Sequence, residues 1–295
     1  MHQGTYIPSV VIIKSLVSEL HAPKLCVAPL RLDSMQRPPS SLTIVLDKFD
    51  QVFDVSTKLQ FIHIHFSKGS IRSISMTTLE DCVRGRHSTR FFKSDAVPPE
   101  ILERCLSLAQ LAPSNSNIQN WRMAIASEHA RDRIVSSLKA EAAKHGPNVP
   151  PLPDHFKHFR SEFSHLLYGE KGYNIPREDA NGMQTARMRN YEFFGAPCCA
   201  VISMDRGFAE SPVDAMSVGM FIQIFMLALA ESGLGSCLQI SVTGYPEVLK
   251  EGFGLGDDQL ILCGMAIGWP VEGNAVNEMV VPREDLKEQI TFLRD

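Results

Sequence analysis

The chain has 295 residues, of which 44% are hydrophobic and 21% are charged, an ordinary globular composition. Its 29 Lys and Arg against 33 Asp and Glu give a net charge of -4, which argues against nucleic acid as a partner. The 7 cysteines include no CxxC pair, so we expect reduced, mostly buried thiols. No uninterrupted apolar run reaches the roughly 18 residues of a membrane span. We therefore expect a cytoplasmic protein with no membrane partner.

The first 75 residues differ in composition from the rest. They begin with an acid-poor, proline-containing stretch, and strand-like alternation follows in Thr43–Leu46 and Phe61–Phe66. We assign no chemistry to this N-terminal extension. Three interpretations stay open: a disordered or organellar presequence, which would make the location mitochondrial; an upstream stretch retained by a gene model that starts before Met76; or an additional subdomain.

Residues 76–295 are well punctuated by proline and glycine, and their helices and strands alternate. In chain order we predict a helix from Pro99 that ends before Pro113, a strand Trp121–Ser127, a polar helix His129–His145, an extended loop Gly146–Pro153, a helix capped by Asp154, a strand Cys198–Met204, a buried apolar helix Pro212–Ser232, a strand Leu234–Val242, a helix Pro246–Phe253 and a strand Gln259–Gly268. No internal repeat is visible. This pattern predicts one α/β or α+β domain.

Several catalytic signatures are missing from the chain. It contains no GxxxxGK[ST], HExxH or GxSxG motif. The glycines from Gly252 to Gly256 are interpreted as a helix end and turn rather than a dinucleotide fingerprint. His155, His158 and His165 share one predicted helix, but without a nearby cysteine or well-placed carboxylate they favour a solvated face over a metal site.

Three polar clusters carry the functional interpretation. Arg84–Arg90 combines arginines with a serine, donors that suit a phosphomonoester, although a solvated basic turn has the same composition. Ala112–Trp121 is rich in amides and hydroxyls, which either pair with the edge of a flat heterocycle or cap a turn. Glu231–Cys237 contains glycines that either let backbone N–H groups approach a ligand or stop a helix.

The order of these clusters resembles the FMN-dependent nitroreductase family over about Met76–Asp295. The resemblance is carried by Arg86-His87-Ser88-Thr89-Arg90, Pro113-Ser114-Asn115-Ser116-Asn117-Ile118-Gln119-Asn120-Trp121, Gly233-Leu234-Gly235-Ser236, Phe193–Pro197, Gly264–Gly268, and Asn277 followed by Arg283. Tyr168-Gly169, Arg177–Asp179 and Asn190–Pro197 look most like the nitrobenzoate reductase branch. The implied fold is an α+β three-layer sandwich, with a mixed central sheet flanked by helices, and a homodimer that holds FMN at its interface.

The resemblance also implies which residues bind the cofactor. Arg86, Ser88 and Arg283 would hold the FMN phosphate, with His87 and Arg90 lining the phosphate and ring edge. The partner subunit would supply Pro113, Ser114, Asn115 and Asn117 to the isoalloxazine, with Gln119 lining the same loop. Backbone N–H groups of Leu234 and Gly235 would face flavin N5 and O4. Asn120 stands where the family usually has proline, so the turn at Gln119 is expected to differ.

The implied activity is reduction of nitroaromatic or quinone-like small molecules with NADPH or NADH. Hydride passes to FMN, the nicotinamide leaves, and the oxidant enters the same pocket in a ping-pong cycle. FMN carries the chemistry, so no protein side chain is assigned a catalytic role and no metal is expected. Segment Gly146–Asn181 is expected to cover the pocket and set substrate shape. The alternatives are an FMN-dependent reductase or dehydrogenase of a small biosynthetic metabolite, and a flavin-binding protein without turnover.

Overall fold

The computed structural model describes residues 41–46, 60–67, 70–75 and 77–294. Its contacts divide the chain into two units, Met1–Thr77 and Thr78–Asp295. The first unit contains an antiparallel sheet of strands β1 (Ser41–Leu46), β2 (Gln60–Ser67) and β3 (Ser70–Ser75), paired in that order. Both predicted strand segments of the N-terminal extension are thereby confirmed. Its origin and role stay predictions.

Helices and strands alternate through the second unit as predicted. In chain order they are α1 (Leu79–Gly85), α2 (Pro99–Ala109), β4 (Trp121–Ser127), α3 (Glu128–His145), α4 (Lys157–Tyr168), α5 (Ala180–Met188), β5 (Cys198–Asp205), α6 (Pro212–Glu231), β6 (Gly235–Gln239), α7 (Pro246–Phe253), β7 (Gln259–Gly268), α8 (Ala275–Glu278) and α9 (Leu286–Gln289). Short 3-10 turns occupy Asn115–Asn117, Asp154–Phe156, Arg189–Gly195, Arg206–Phe208 and Ser241–Gly244.

A four-stranded sheet in the order β4-β5-β7-β6 forms the middle layer. Its neighbouring strands pair antiparallel, with β4 and β5 in register from Trp121 opposite Met204 to Ser127 opposite Cys198. A parallel bridge joins Ser88 to Ser236 beside the edge strand β6. Strand β5 is buried from Cys198 to Met204 because both faces of this inner strand are covered.

Two hydrophobic clusters, one on each face of the sheet, make the three layers. Alternate residues of β5, such as Ile202, pack with α2 and α6, where the Trp121 ring stacks on Phe221 at 5.1 Å between centroids. The intervening residues, such as Val201, pack with Leu138 of α3 and the buried part of α7. An α+β sandwich with helices on both sides of the sheet is therefore confirmed, whereas the expected mixed sheet is corrected, since its four strands all pair antiparallel.

Some local predictions need correction. Asp154 does not cap a helix: it lies in a 3-10 turn, pairs with Lys157 at 2.6 Å, and α4 begins only at Lys157. Strand β6 ends at Gln239 rather than Val242, because the chain turns at Ser241–Gly244. The six described cysteines are free, buried thiols, whereas Cys26 lies outside the described residues.

Helix α6 is less covered than its composition suggested. Its inner face is buried against the sheet, but a stripe of Val213, Met216, Met220, Gln223 and Leu227 is exposed or half-buried. Their spacing of three or four residues places them on one side of the helix. By length and composition α6 could span a membrane, the one such helix in the described part of the chain. Its packing on the sheet is that of a core helix.

We expect Phe225→Ala to lower the free energy of unfolding by about 3–5 kcal/mol, because it empties a buried aromatic position on α6. Val280→Ala is the control, since that side chain is 84% exposed. Denaturant unfolding at one fixed protein concentration measures both variants. Equal midpoints for the two variants would contradict the assignment of α6 to the core.

Candidate active site

The arginine-rich segment lies along the first residues of β6. Helix α1 begins with a capping box in which Thr78 and Asp81 exchange hydrogen bonds, and it ends at Gly85. The chain then runs beside β6, where the Thr89 N–H donates to the Ser236 carbonyl at 3.0 Å. A Cβ on Gly235 would lie 2.4 Å from Thr89 Oγ1, so only glycine permits this approach. Two clusters separated by about 145 residues of sequence thus meet.

The charges at this junction are unbalanced. Within residues 77–294, neither Arg86 nor Arg90 lies within ion-pair distance of a carboxylate. Burial raises the pKa of the Cys237 thiol on β6, while the charge of Arg90, the Ser88 hydroxyl and the charge of Arg86 oppose that rise. Guanidinium and hydroxyl donors without an acidic partner form a set that suits a phosphate dianion.

Asn277 fixes the backbone next to this junction. The side chain is buried, and its Oδ1 accepts from the N–H groups of Arg90 at 2.8 Å and Phe91 at 3.1 Å. Its Nδ2 donates to the carbonyls of Phe91 at 2.8 Å and Val271 at 3.1 Å. One side chain therefore satisfies four backbone groups. Asn277 belongs to one of the motifs that carry the family resemblance, but the sequence assigned it no role.

Arg189 is a second residue that sequence reasoning missed. Its Nη2 donates to the carbonyls of Arg90 at 2.8 Å and Phe194 at 3.2 Å. Its guanidinium carbon lies 4.2 Å from the Phe91 ring centroid. Burial raises the pKa of the nearby Tyr173, and the positive charges of Arg189 and Arg90 oppose that rise. The sequence offered one signal for Arg189, which is its position immediately before the Asn190–Pro197 segment that carries the family resemblance.

Other predicted cofactor residues occupy different settings. The Leu234 N–H closes the end of α6 by donating to the Leu229 carbonyl at 2.9 Å. The expectation that Leu234 offers a free backbone donor is therefore corrected. Gly235 stays a predicted backbone donor. Arg283 is exposed and donates to the carbonyls of Val281 and Pro282, so its guanidinium is turned toward its own chain. His87 is exposed, with Nδ1 2.8 Å from the Gly85 carbonyl oxygen.

The polar loop lies at the opposite end of α6. The Asn115 N–H donates to Ser217 Oγ at 3.3 Å in the first turns of that helix, whereas Gly235 follows its last turn. Ser217 and Glu231 are about 21 Å apart along the axis at ~1.5 Å per residue. Pro113, Asn115, Asn117 and Gln119 are exposed and Ser114 is half-buried. A single chain therefore does not bring this loop to the arginine junction.

The backbone of the loop is strained. Ser116, Asn117 and Gln119 have φ of 47°, 57° and 51°, values that are uncommon for residues other than glycine. The Ser114 hydroxyl accepts from the Gln119 N–H at 3.0 Å and holds the turn. Non-glycine residues kept in such conformations cluster at ligand-binding positions.

Segment Gly146–Asn181 packs over the arginine junction at one end. Phe163 of α4 and Tyr173 join Phe91 in a small apolar cluster, and the Phe163 ring centroid lies 5.4 Å from the Arg90 guanidinium carbon. At the other end, Asn148 Nδ2 donates to the Gly244 carbonyl at 2.9 Å. The segment is thus anchored on both sides, with aromatic side chains turned to the junction.

The fold and this junction define an α+β sandwich suited to a phosphorylated ligand, and comparison with known proteins identifies the family. A model of the nitroreductase family matches residues 83–269. The chain is 31% identical over 229 residues to the nitrobenzene nitroreductase of Ectopseudomonas oleovorans, covering 74% of this chain and 97% of that protein. It is 28% identical over 209 residues to the 4-nitrobenzoate reductase of Pseudomonas putida, covering 68% and 89%.

A solved structure is similar as well. The FMN-dependent nitroreductase NfnB from Mycobacterium smegmatis, in complex with NADPH, matches with a TM-score of 0.67 and 29% identity over 73% of this chain and 97% of that one. The chain belongs to the nitroreductase family and is an oxidoreductase of that type. The resemblance drawn from the sequence motifs is confirmed.

We expect Asn277→Leu to speed amide hydrogen exchange at Arg90 and Phe91 and to lower the free energy of unfolding by about 3 kcal/mol, because buried backbone groups lose their partners. Asn181→Leu, at an exposed position, is the control. Exchange read by mass spectrometry over the peptide that contains Arg90 tests this. Unchanged exchange there would show that Asn277 does not hold this backbone.

Proposed function

We propose that the protein is an FMN-dependent NAD(P)H oxidoreductase that reduces nitroaromatic or quinone-like small molecules. The observation that carries the proposal is the junction of Arg86–Arg90 with Gly235–Cys237, where cationic donors meet a glycine turn and no carboxylate of the described residues lies within ion-pair distance of Arg86 or Arg90. The 4-nitrobenzoate reductase and nitrobenzene nitroreductase relatives support the substrate class. The buried free thiols fit a reducing, cytoplasmic compartment.

The residues present fit FMN. Arg86, Ser88 and Arg90 supply charged and hydroxyl donors for its phosphate and ring edge, and Arg283 is proposed as a further phosphate ligand. Gly235 is the proposed backbone donor; it pairs with Gly268 of β7, and a side chain there would collide with Thr89. When bound, FMN supplies the redox chemistry, taking hydride from NAD(P)H and passing it to the oxidant in a ping-pong cycle. The positive junction stabilises negative charge on the ligand.

The site is completed by a second copy of the chain. The exposed stripe on α6 from Val213 to Leu227 is apolar enough to be buried in a two-fold interface. Such an interface along α6 sets the Ser114–Gln119 loop of one subunit beside the arginine junction of the other. This arrangement accounts for the separation of the two clusters within one chain.

The substrate pocket lies under the segment Gly146–Asn181. Phe163, Tyr168 and Tyr173 supply aromatic surface, with the two tyrosine rings 6.0 Å apart. Flat aromatic oxidants stack on such surfaces. We infer that the protons for reduction come from water.

Anaerobic absorption spectra of the full chain test the proposal. We expect bound FMN to bleach on addition of NADPH or NADH and to recover its colour on addition of nitrobenzene or a quinone. Arg86→Gln should weaken FMN binding about tenfold or more, because a charge-assisted contact is lost. Arg84→Gln is the matched control, since the Arg84 side chain is 77% exposed and pairs with Glu80. FMN that binds and stays oxidised would instead indicate a binding protein without turnover.

Mixing two inactive variants tests the shared site. One carries Arg86→Gln and Arg90→Gln; the other carries Ser114→Ala, Asn115→Ala and Asn117→Ala. In a mixed dimer one of the two sites contains no substitution, so random reassociation should restore about a quarter of wild-type activity. Activity that stays at the level of the separate variants would place the whole site within one chain.

A further inference from the structure

Arg189 is a half-buried guanidinium whose contacts are carbonyl oxygens, rings and the Tyr173 hydroxyl. Nη2 donates to Arg90 and Phe194, the guanidinium covers Phe91, and the buried Nε has no hydrogen-bond partner among the described residues. No carboxylate of residues 77–294 lies within ion-pair distance of it. A charge removed from water without an acidic partner is costly. This cost indicates that Arg189 does more than link two backbone carbonyl groups.

The bonds of Arg189 hold Arg90 at its backbone. Asn277 accepts from the Arg90 N–H, while Arg189 donates to the Arg90 carbonyl, so both sides of this residue are fixed. The two partners come from different parts of the chain. Arg90 therefore cannot shift along its segment without breaking a hydrogen bond.

Arg189 also supports the environment of the Arg90 side chain. It bonds the carbonyl of Phe194, which with Phe193 adopts left-handed φ of 56° and 47°. Consecutive left-handed residues other than glycine are unfavourable and need outside support. The turn sets the Phe194 ring centroid 5.8 Å from the Arg90 guanidinium carbon, and Phe163 lies at 5.4 Å. The two rings and a hydrogen bond from Arg90 Nη1 to the Ser88 carbonyl, at 3.2 Å, thus orient the Arg90 guanidinium.

We propose that Arg189 is a positioning residue that acts through Arg90: it fixes the Arg90 guanidinium toward the cofactor and adds positive potential at the cofactor site. The inference rests on the proposed function, because Arg90 must be a cofactor ligand for it to hold. It assigns two separable effects to one side chain. The hydrogen bonds orient Arg90, and the charge favours the more negative, reduced form of the flavin.

A double-mutant cycle on the full chain tests the first effect, with FMN affinity measured by fluorescence titration. We expect Arg189→Gln and Arg90→Gln each to weaken binding about tenfold, and Arg189→Gln to add no more than about threefold in the Arg90→Gln background. Arg187→Gln, at an exposed position in the last turn of α5, should change binding less than about twofold. Effects that multiply, or an Arg189→Gln affinity equal to wild type, would overturn action through Arg90.

The reduction potential of bound FMN tests the second effect. Arg189→Gln should lower it, whereas Arg189→Lys keeps the charge and should leave it near the wild-type value while still weakening FMN binding. A purely structural role would destabilise both variants without separating their potentials, and that result would overturn the charge argument. Near-UV circular dichroism checks folding; if Arg189→Gln is misfolded, Arg189→Lys in the cycle decides the first effect. Failure of the wild-type chain to bind FMN would instead refute the proposed function itself.

Discussion

The length of α6 is the constraint on which the arrangement of the site depends. The helix packs its inner face on the sheet, so its two ends are fixed relative to the strands. One end carries the contact between Ser217 and the polar loop, and the other leads into the turn at Gly235. A straight helix of this length keeps the two clusters apart in one chain. The same helix exposes the apolar stripe through which a second copy would bring them together.

At the arginine junction, backbone hydrogen bonding decides the geometry. Thr89 pairs with Ser236 as a short extension of the sheet, and Asn277 satisfies the next backbone groups where that pairing stops. Buried backbone groups need partners, so these contacts leave the segment little freedom. The side chains of Arg86 and Arg90 are consequently presented from a rigid edge. A preorganised donor set binds an anion without first having to be ordered.

Sequence reasoning succeeded where the signal is local. Strands Trp121–Ser127 and Gln259–Gly268 and helix Pro246–Phe253 have the predicted bounds, because β-rich or apolar runs there are bounded by clear breakers. The prediction that Asp154 caps a helix was wrong, because Asp154 pairs with Lys157 and lies in a 3-10 turn. Asn277 and Arg189 could not be assigned roles, since their partners at Arg90 are 187 and 99 residues away. Only the fold reveals which carbonyl a side chain reaches.

Several of the strained backbone positions and unpaired positive charges of the domain lie at the places assigned to the ligand. Left-handed residues other than glycine lie in the Ser114–Gln119 loop and at Phe193 and Phe194, and also at Glu128 and Asn174. Arg86, Arg90 and Arg189 bring positive charge to the junction, and Arg189 bonds the Phe194 carbonyl. Repulsion among these cations opposes folding of the unliganded chain. A bound anion removes that repulsion and therefore stabilises the folded state, by an amount that grows with the logarithm of the affinity for the anion. The same repulsion would favour a negatively charged ligand over a neutral one at the proposed site.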